Sequence, residues 1–368
     1  MKVTKILMSK AIPGMVLAKD ILDYSGKILV ADGTTLTDKI ISKLQFYAIQ
    51  SLLVQMNDQG EIVNAYEDSH EDSPSTSDWH LEKIRNTKEF QEFQEEFYAY
   101  ANHFQSYIDQ VITTDVPLDL SYLLNSTNKV MGKSRNTIHL FDMINCMRAY
   151  DDSTYSHCIN VSLICNVFGQ WIHLSQADVD TLTLCGLFHD IGKLEIPQSI
   201  IMKPDRLTDD EYRMMKKHTL MGYDLLKDRD IDIRIKKAAL MHHERLDGSG
   251  YPQHLKGDQI DNFSKIVAIA DVYDALTSKR VYREPLCPFE VLHIFEREGF
   301  VKYDPAYLVV FFQKMFATYV SNTVRLNDGS EGKIIMLNKQ ALADPIVQIG
   351  SEFIDLSKHK DLYIQAIL

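Results

Sequence analysis

The sequence predicts a mainly α protein: a helical bundle with a small α+β module at its N-terminal end and a small β appendage at its C-terminal end. Three patterns carry that expectation. Apolar residues recur at helical spacing through residues 117–316, short β-like runs alternate with turns over residues 1–56, and strand-like runs parted by Asn, Asp, Gly and Pro occupy residues 317–368. With 368 residues, 45% of them apolar and 24% charged, the chain has the length and composition for a substantial core.

Taken in order, residues 15–18, 24–27 and 28–30 read as β-like runs, 38–47 as a helix and 51–55 as a further strand, with no residue there that suggests catalysis. Composition then turns polar and acidic from Asn57 to Trp79, as in Glu67-Asp68-Ser69-His70-Glu71-Asp72-Ser73-Pro74. Such a stretch is expected to be a mobile linker, in which His70 and the nearby His80 are solvated. Leu81, Ile84, Phe90, Phe93, Phe97, Tyr98 and Ala101 follow at helical spacing among charges, predicting an amphipathic helix over about 79–113 that completes a connecting region of residues 57–116. Its apolar stripe needs cover, from its own domain or from a second copy in a homodimer. Helices are expected next over 157–171, 177–189, 209–228, 233–243 and 263–276, and strands over 322–326, 332–336, 346–349 and 353–356.

Several function classes are disfavoured. No apolar run reaches the roughly 18 to 20 residues that span a bilayer, so membrane insertion is not expected. The first eight residues lack the apolar stretch and small-residue cleavage site of a secretory signal, which points to the cytoplasm. Five cysteines, Cys146, Cys158, Cys165, Cys185 and Cys287, are scattered and never form a C-x-x-C pair, against both a disulfide framework and a thiolate zinc site. A net charge of −12 opposes binding of DNA or RNA, while leaving room for a local basic pocket that holds a small phosphodiester.

Imidazole and carboxylate are concentrated in His189-Asp190-Ile191-Gly192-Lys193 and in His242-His243-Glu244-Arg245-Leu246-Asp247-Gly248-Ser249-Gly250-Tyr251-Pro252. Neutral histidine presents one ring nitrogen as a ligand and aspartate can bridge two cations with its two oxygens, so a polynuclear metal site accounts for both segments.

Together with Tyr155-Ser156-His157, a spaced His218 and Ala270-Asp271-Val272-Tyr273-Asp274-Ala275-Leu276-Thr277-Ser278-Lys279-Arg280, these segments resemble the HD-GYP family of HD-domain phosphohydrolases over roughly residues 117–316. The resemblance implies a helical HD-domain bundle holding two divalent metal ions. One would be bound by His157, His189, Asp190 and Asp271, the other by Asp190, His218, His242 and His243, with Asp190 bridging. Nitrogen and oxygen donors without thiolate suit iron or manganese better than calcium, with zinc, nickel and cobalt open. Some members carry a third metal, held in part by a glutamate one helical turn before the first histidine. Here Ser153 stands at that place, and Asp152 would sit about 140° around a helix from His157, so two metals are expected.

The resemblance also implies hydrolysis of cyclic di-GMP to linear pGpG, with onward cleavage to GMP open, by a hydroxide shared between the two cations. Asp190 and Lys193 would be the catalytic residues, and Lys193, Arg280 and Arg283 would meet phosphate oxygens. The family associates the loop containing Gly250 and Tyr251 with substrate handling and with a diguanylate-cyclase (GGDEF) partner; Tyr251 could stack on a guanine. Glu244 and Asp247 are expected to support ligating histidines, and Asp274, one turn after Asp271, to orient a ligand or a basic contact. The competing readings are a phosphodiesterase for 3′,3′-cyclic GMP-AMP or another cyclic dinucleotide, and a weakly catalytic cyclic-dinucleotide or redox sensor.

Overall fold

In the computed structural model of this chain the described residues are 2–7, 11–12, 14–22, 28–37, 40–41, 44, 51–56, 84–114, 117–147, 153–203, 207–278, 286–338 and 341–368. The chain divides into two compact units, one centred on residues 1–74 and the other holding the helices and the C-terminal strands.

In the first unit, strand β1 (Lys2–Leu7) gives way to β2 (Ile21–Leu22), β3 (Ile28–Val30) and β4 (Ser51–Met56). Strands β1 and β4 pair antiparallel with Ile6 opposite Leu52 and Thr4 opposite Val54, and β2 pairs with β3. Alternation places Ile6, Leu52 and Val54 on one buried face, where they meet Met15, Leu17, Val30, Leu36, Ile41 and Leu44. The run at 24–27 and most of the expected helix at 38–47 lie outside the described residues; Ile40, Ile41 and Leu44 are helical. The acidic stretch, with His70 and His80, is likewise outside them.

The second unit begins with a helical turn at Ile84 and Arg85, then α1 (Lys88–Thr113), whose first turn is capped by the Thr87 hydroxyl accepting from Phe90 N at 3.2 Å. Its stripe of Phe90, Phe93, Phe97, Phe104 and Ile108 is buried in the core of the same unit, so the amphipathic face is covered from within. Two further helices, α2 (Leu120–Met131) and α3 (Thr137–Met147), lead to α4 (Thr154–Trp171) and α5 (Gln176–Phe188). Every residue of α4 from Ser156 to Gly169 is buried, which accounts for its apolar character all round. Helices α4 and α5 touch at Gly186, where a Cβ would lie 2.9 Å from both Ser162 Cα and Val161 O.

A short 3-10 turn (Ile191–Glu195) precedes α6 (Asp209–Lys216), α7 (His218–Leu226), α8 (Ile233–Met241), α9 (Asn262–Thr277), α10 (Pro288–Ile294) and α11 (Pro305–Ala317). The single helix expected over 209–228 is broken at Lys217. There Lys217 N bonds to Met214 O in a tightened turn, and the carbonyl of Met215 is engaged by the His218 ring. Among the described residues no helix is long and apolar enough to cross a membrane.

The C-terminal residues form an antiparallel sheet from β5 (Thr323–Leu326), β6 (Glu331–Met336), β7 (Ile346–Ile349), β8 (Glu352–Asp355) and β9 (Ile364–Ile367), in the order β8-β7-β6-β5-β9. Strand β9 was not expected from the sequence: it is a four-residue run closing the sheet beside β5, remote from it in sequence. Val324, Leu326, Ile334, Val347 and Ile364 join Phe289, Phe316 and Tyr319 in one hydrophobic core, so this sheet is packed on the helices. The mainly α class with small β elements at both ends is the architecture the sequence predicts.

Candidate metal centre

Helix ends bring the candidate ligands together. His157 lies in the first turn of α4, His189 and Asp190 directly follow α5, His218 opens α7, His242 and His243 follow α8, and Asp271 sits inside α9. Glycine allows the approach. A Cβ on Gly192 would lie 1.9 Å from His218 O and 2.3 Å from Gly222 N, so only glycine lets the turn after Asp190 meet the start of α7. Nothing in the sequence pattern sets Gly192 apart.

Their ligand atoms fall into two groups, Asp190 with His218, His242 and His243, and His157 with His189 and Asp271; within each group the atoms lie within 4.8 Å of one another. Asp190 reaches both. Its Oδ1 lies 3.2 Å from His218 Nε2 and 3.6 Å from His242 Nε2, while its Oδ2 lies 3.3 Å from His189 Nε2 and 3.5 Å from His157 Nε2. Asp271 Oδ1 is 3.1 Å from His157 Nε2 and 3.9 Å from His189 Nε2, and its Oδ2 is 4.0 Å from His243 Nδ1. The seven predicted ligands are thus placed in one cluster.

The hydrogen bonds around the cluster orient its lone pairs. Each of three rings uses Nδ1 on a backbone carbonyl: His189 on Gly186 at 2.7 Å, His218 on Met215 at 2.6 Å and His242 on Ala238 at 2.9 Å. In the neutral imidazole the remaining Nε2 is then an acceptor. The Nε2 atoms of His218 and His242 face each other at 3.3 Å, and buried His189 Nε2 and Asp190 Oδ1 have no hydrogen-bond partner. Acceptors crowded against acceptors in a buried site require a positive charge between them. Divalent cations fit this donor set.

Protonation at His242, His243, Asp190 and Asp271 agrees with that fit. Burial pushes His242 down to about 4 and His243 well below the usual imidazole range, which keeps both neutral at pH 7. Burial opposes ionisation of Asp190 and Asp271 too. It is overcome by Lys193 and His189 at Asp190, and by His157 and His243 at Asp271, and both carboxyls fall well below their usual range. At His157 burial is again opposed, by hydrogen bonds to Asp271 and Asp274, and the ring rises to about 9. Asp274 Oδ2 holds His157 Nδ1 at 2.7 Å, matching the orienting role expected of it.

Glu244 and Asp247 do something different from what the sequence suggested. Glu244 accepts from the backbone N–H of Gln253 at 2.7 Å and of Leu255 at 3.0 Å, pinning the loop, and exposed Asp247 accepts from Ser249 N at 2.9 Å. Backbone carbonyls take the ring protons instead. Gly250 has no room for a Cβ, which would lie 2.4 Å from His243 O, and Tyr251 stacks on the His243 ring with centroids 4.7 Å apart. Lys193 Nζ meets Asp190 Oδ2 at 2.5 Å. Ser153 is the N-cap of α4, its hydroxyl accepting from Ser156 N at 3.2 Å. Asp152, Arg280 and Arg283 lie outside the described residues.

Five histidines and two aspartates gathered in one cluster of a mainly α bundle define a class of protein equipped to bind divalent cations. The family model described as HD domain matches residues 120–307, and the chain belongs to the HD-domain family. His189-Asp190 supplies the HD pair, and Gly250-Tyr251-Pro252 is the stretch by which the chain resembles the HD-GYP branch. The cyclic di-GMP phosphodiesterase response regulator RpfG of Xanthomonas campestris is 39% identical over 165 residues, 44% of this chain and 43% of that protein. The cyclic di-GMP phosphodiesterase PA4108 of Pseudomonas aeruginosa is 30% identical over 238 residues, 60% of this chain and 57% of that protein. A 3'3'-cGAMP-specific phosphodiesterase 2 of Vibrio cholerae is 38% identical over 149 residues, 40% of this chain and 28% of that protein. The aligned part spans about half the length of the first two relatives.

Proposed function

We propose that this chain is a metal-dependent phosphodiesterase that hydrolyses cyclic di-GMP to linear pGpG. The observation that carries the reading is the gathering of unpartnered His189 Nε2 and Asp190 Oδ1 with the other imidazole nitrogens in two adjoining ligand groups. Two cations would be held, one by His157, His189, Asp190 and Asp271 and one by Asp190, His218, His242 and His243. Iron suits these donors first and manganese next. When bound, such cations supply Lewis-acid charge for a phosphoryl group and a more acidic water.

The chain's own groups complete the chemistry. Asp190 stays ionised and offers one oxygen to each group of histidines. Lys193 holds its ammonium at the edge of the cluster, placed to leave Asp190 for a non-bridging phosphate oxygen, and Arg280 and Arg283 would add planar donor pairs. Gly250 lets the loop close onto the backbone of His243, and Tyr251 then forms a wall beside that ring, excluding water from one side. Five free cysteines, four of them buried, suit a reducing cytoplasm.

A second substrate, 3′,3′-cyclic GMP-AMP, is favoured by the Vibrio cholerae relative named for it. One experiment separates the two: anaerobic purification, elemental analysis, and chromatography of products from each dinucleotide on the same sample. About two metals per chain and faster appearance of pGpG from cyclic di-GMP are expected. A metal-loaded protein that leaves cyclic di-GMP intact would overturn the reading.

A further inference from the structure

Outside the cluster, one cation is held by aromatic rings in place of a carboxylate. Lys216 ends α6, and Tyr212 stands four residues earlier on the same face. The Lys216 ammonium lies 5.0 Å from the centroid of the Tyr212 ring and 5.8 Å from that of Tyr251. Tyr251 in turn stacks on the candidate ligand His243. A strip of ring, ammonium and ring therefore runs outward from the cluster, with Tyr212 48% exposed at its far end. Among the described residues Lys216 has no carboxylate within ion-pair distance.

Resting on the cyclic-dinucleotide reading, we infer that Lys216 contacts the non-scissile phosphodiester of the substrate while Tyr212 offers its open face to a purine. A cyclic dinucleotide carries two phosphodiesters, and only one can be cut at the cations at a time. The other needs a cation of its own, the more so in a chain of net charge −12 that repels anions from most of its surface. Lys216 is separated from His243 by a single aromatic ring and supplies that cation. An ammonium between tyrosine faces is held in place by them yet keeps its outer N–H groups for phosphate, and a tyrosine face stacks on any base.

The test compares cyclic di-GMP with bis(p-nitrophenyl) phosphate, a small diester that needs only the metal centre, in the metal-loaded full chain. Lys216→Met is expected to raise KM for cyclic di-GMP about tenfold, the low end for a charge-assisted contact at a partly exposed rim, with little change in kcat. Lys216→Arg should keep KM near the wild-type value, Tyr212→Ala should raise it, and cleavage of the small diester should be unaltered in all three. An unchanged KM in Lys216→Met, or equal losses on both substrates, overturns the inference. If the wild type cleaves the small diester but not cyclic di-GMP, the proposed reaction fails, and the subsite is then judged by titration with a fluorescent cyclic di-GMP analogue. Weaker binding by Lys216→Met upholds the subsite; equal binding, or none by the wild type, overturns it.

Discussion

The hydrogen bond between Asp274 and His157 offers the sharpest test of how this cluster is held. Asp274 is 1% exposed, and its Oδ2 lies 2.7 Å from His157 Nδ1, whose other nitrogen faces Asp271 at 3.1 Å. In Asp274→Asn the amide oxygen can still accept from Nδ1–H, so geometry is largely kept while the negative charge is lost. A hydrogen bond to a charged group contributes about 1.5–3 kcal/mol. Loss of the carboxylate partner of a metal-bound histidine typically lowers affinity about 10–100-fold, which is roughly 1.4–2.7 kcal/mol, so two independent scales agree. Metal binding to the group formed by His157, His189 and Asp271 should weaken by that factor, measured by competition with a chelator of known affinity. Turnover should fall at limiting metal and recover at saturating metal, whereas Asp274→Ala, which leaves Nδ1–H without an acceptor, should recover less. Thermal unfolding of the metal-free variants separates this effect from loss of fold. An Asn variant that binds metal as tightly as the wild type would refute the argument that Asp274 strengthens His157 as a ligand.

Three further outcomes follow from the same geometry. Asp190→Ala should abolish both metal retention and phosphodiester cleavage, because its two oxygens face the two groups of histidines; full hydrolysis by that variant would contradict the assignment. In the metal-free protein, the stabilisation from His157, whose folded value is about 9 against 6.5, is present below pH 6.5 and lost as pH rises toward 9. His242, at about 4, has the opposite sense: its neutral burial is tolerated above pH 6.5 and costs stability as pH falls toward 4. These two groups should destabilise the metal-free fold at opposite ends of the range, giving a maximum near pH 6.5 in thermal melts with chelator present, and a monotonic profile would sink the account. Gly192→Ala forces a methyl into the 1.9 Å gap to His218 O and should cost about 1–3 kcal/mol or more while displacing α7 and its histidine. An unchanged melting midpoint and metal content would show the contact to be slack.

Much of the site was legible because its residue types are dense and polar where a core should be apolar. The segments around His189 and His242 stand out by composition, the resemblance to the HD-GYP family adds His157, His218 and Asp271, and the fold sets the ligand atoms of these residues side by side. Asp274 was also readable, since a carboxylate one helical turn from Asp271 shares its face of α9. Other parts were hidden for definite reasons. Strand β9 pairs with β5 across about forty residues, a partner that local pattern does not announce, and the break at Lys217 depends on the His218 ring reaching Met215 O. Gly192 was silent because its importance lies in what it touches, the first turn of α7, and no spacing along the chain reports that contact.

The misreading of Glu244 and Asp247 has a common physical root. A ligating imidazole needs an acceptor for its second nitrogen, and a carboxylate beside it in sequence is the natural guess. Yet His189 and His242 cap the C-terminal ends of α5 and α8, and His218 follows the end of α6. The last turn of any helix exposes carbonyls without intrahelical partners, so a histidine placed there finds an acceptor three or four residues back. Gly186, Met215 and Ala238 serve as acceptors, Ala238 taking the His242 backbone N–H as well, and their side chains carry no signal. Of the four ligand rings whose Nδ1 makes a hydrogen bond described above, His157, at the N-terminal end of α4, is the one held by a side-chain carboxylate, and its orientation is what a point mutation at Asp274 should disturb. Glu244 is thereby left to accept from Gln253 and Leu255, and its substitution should loosen the loop carrying Tyr251 before it alters the rings.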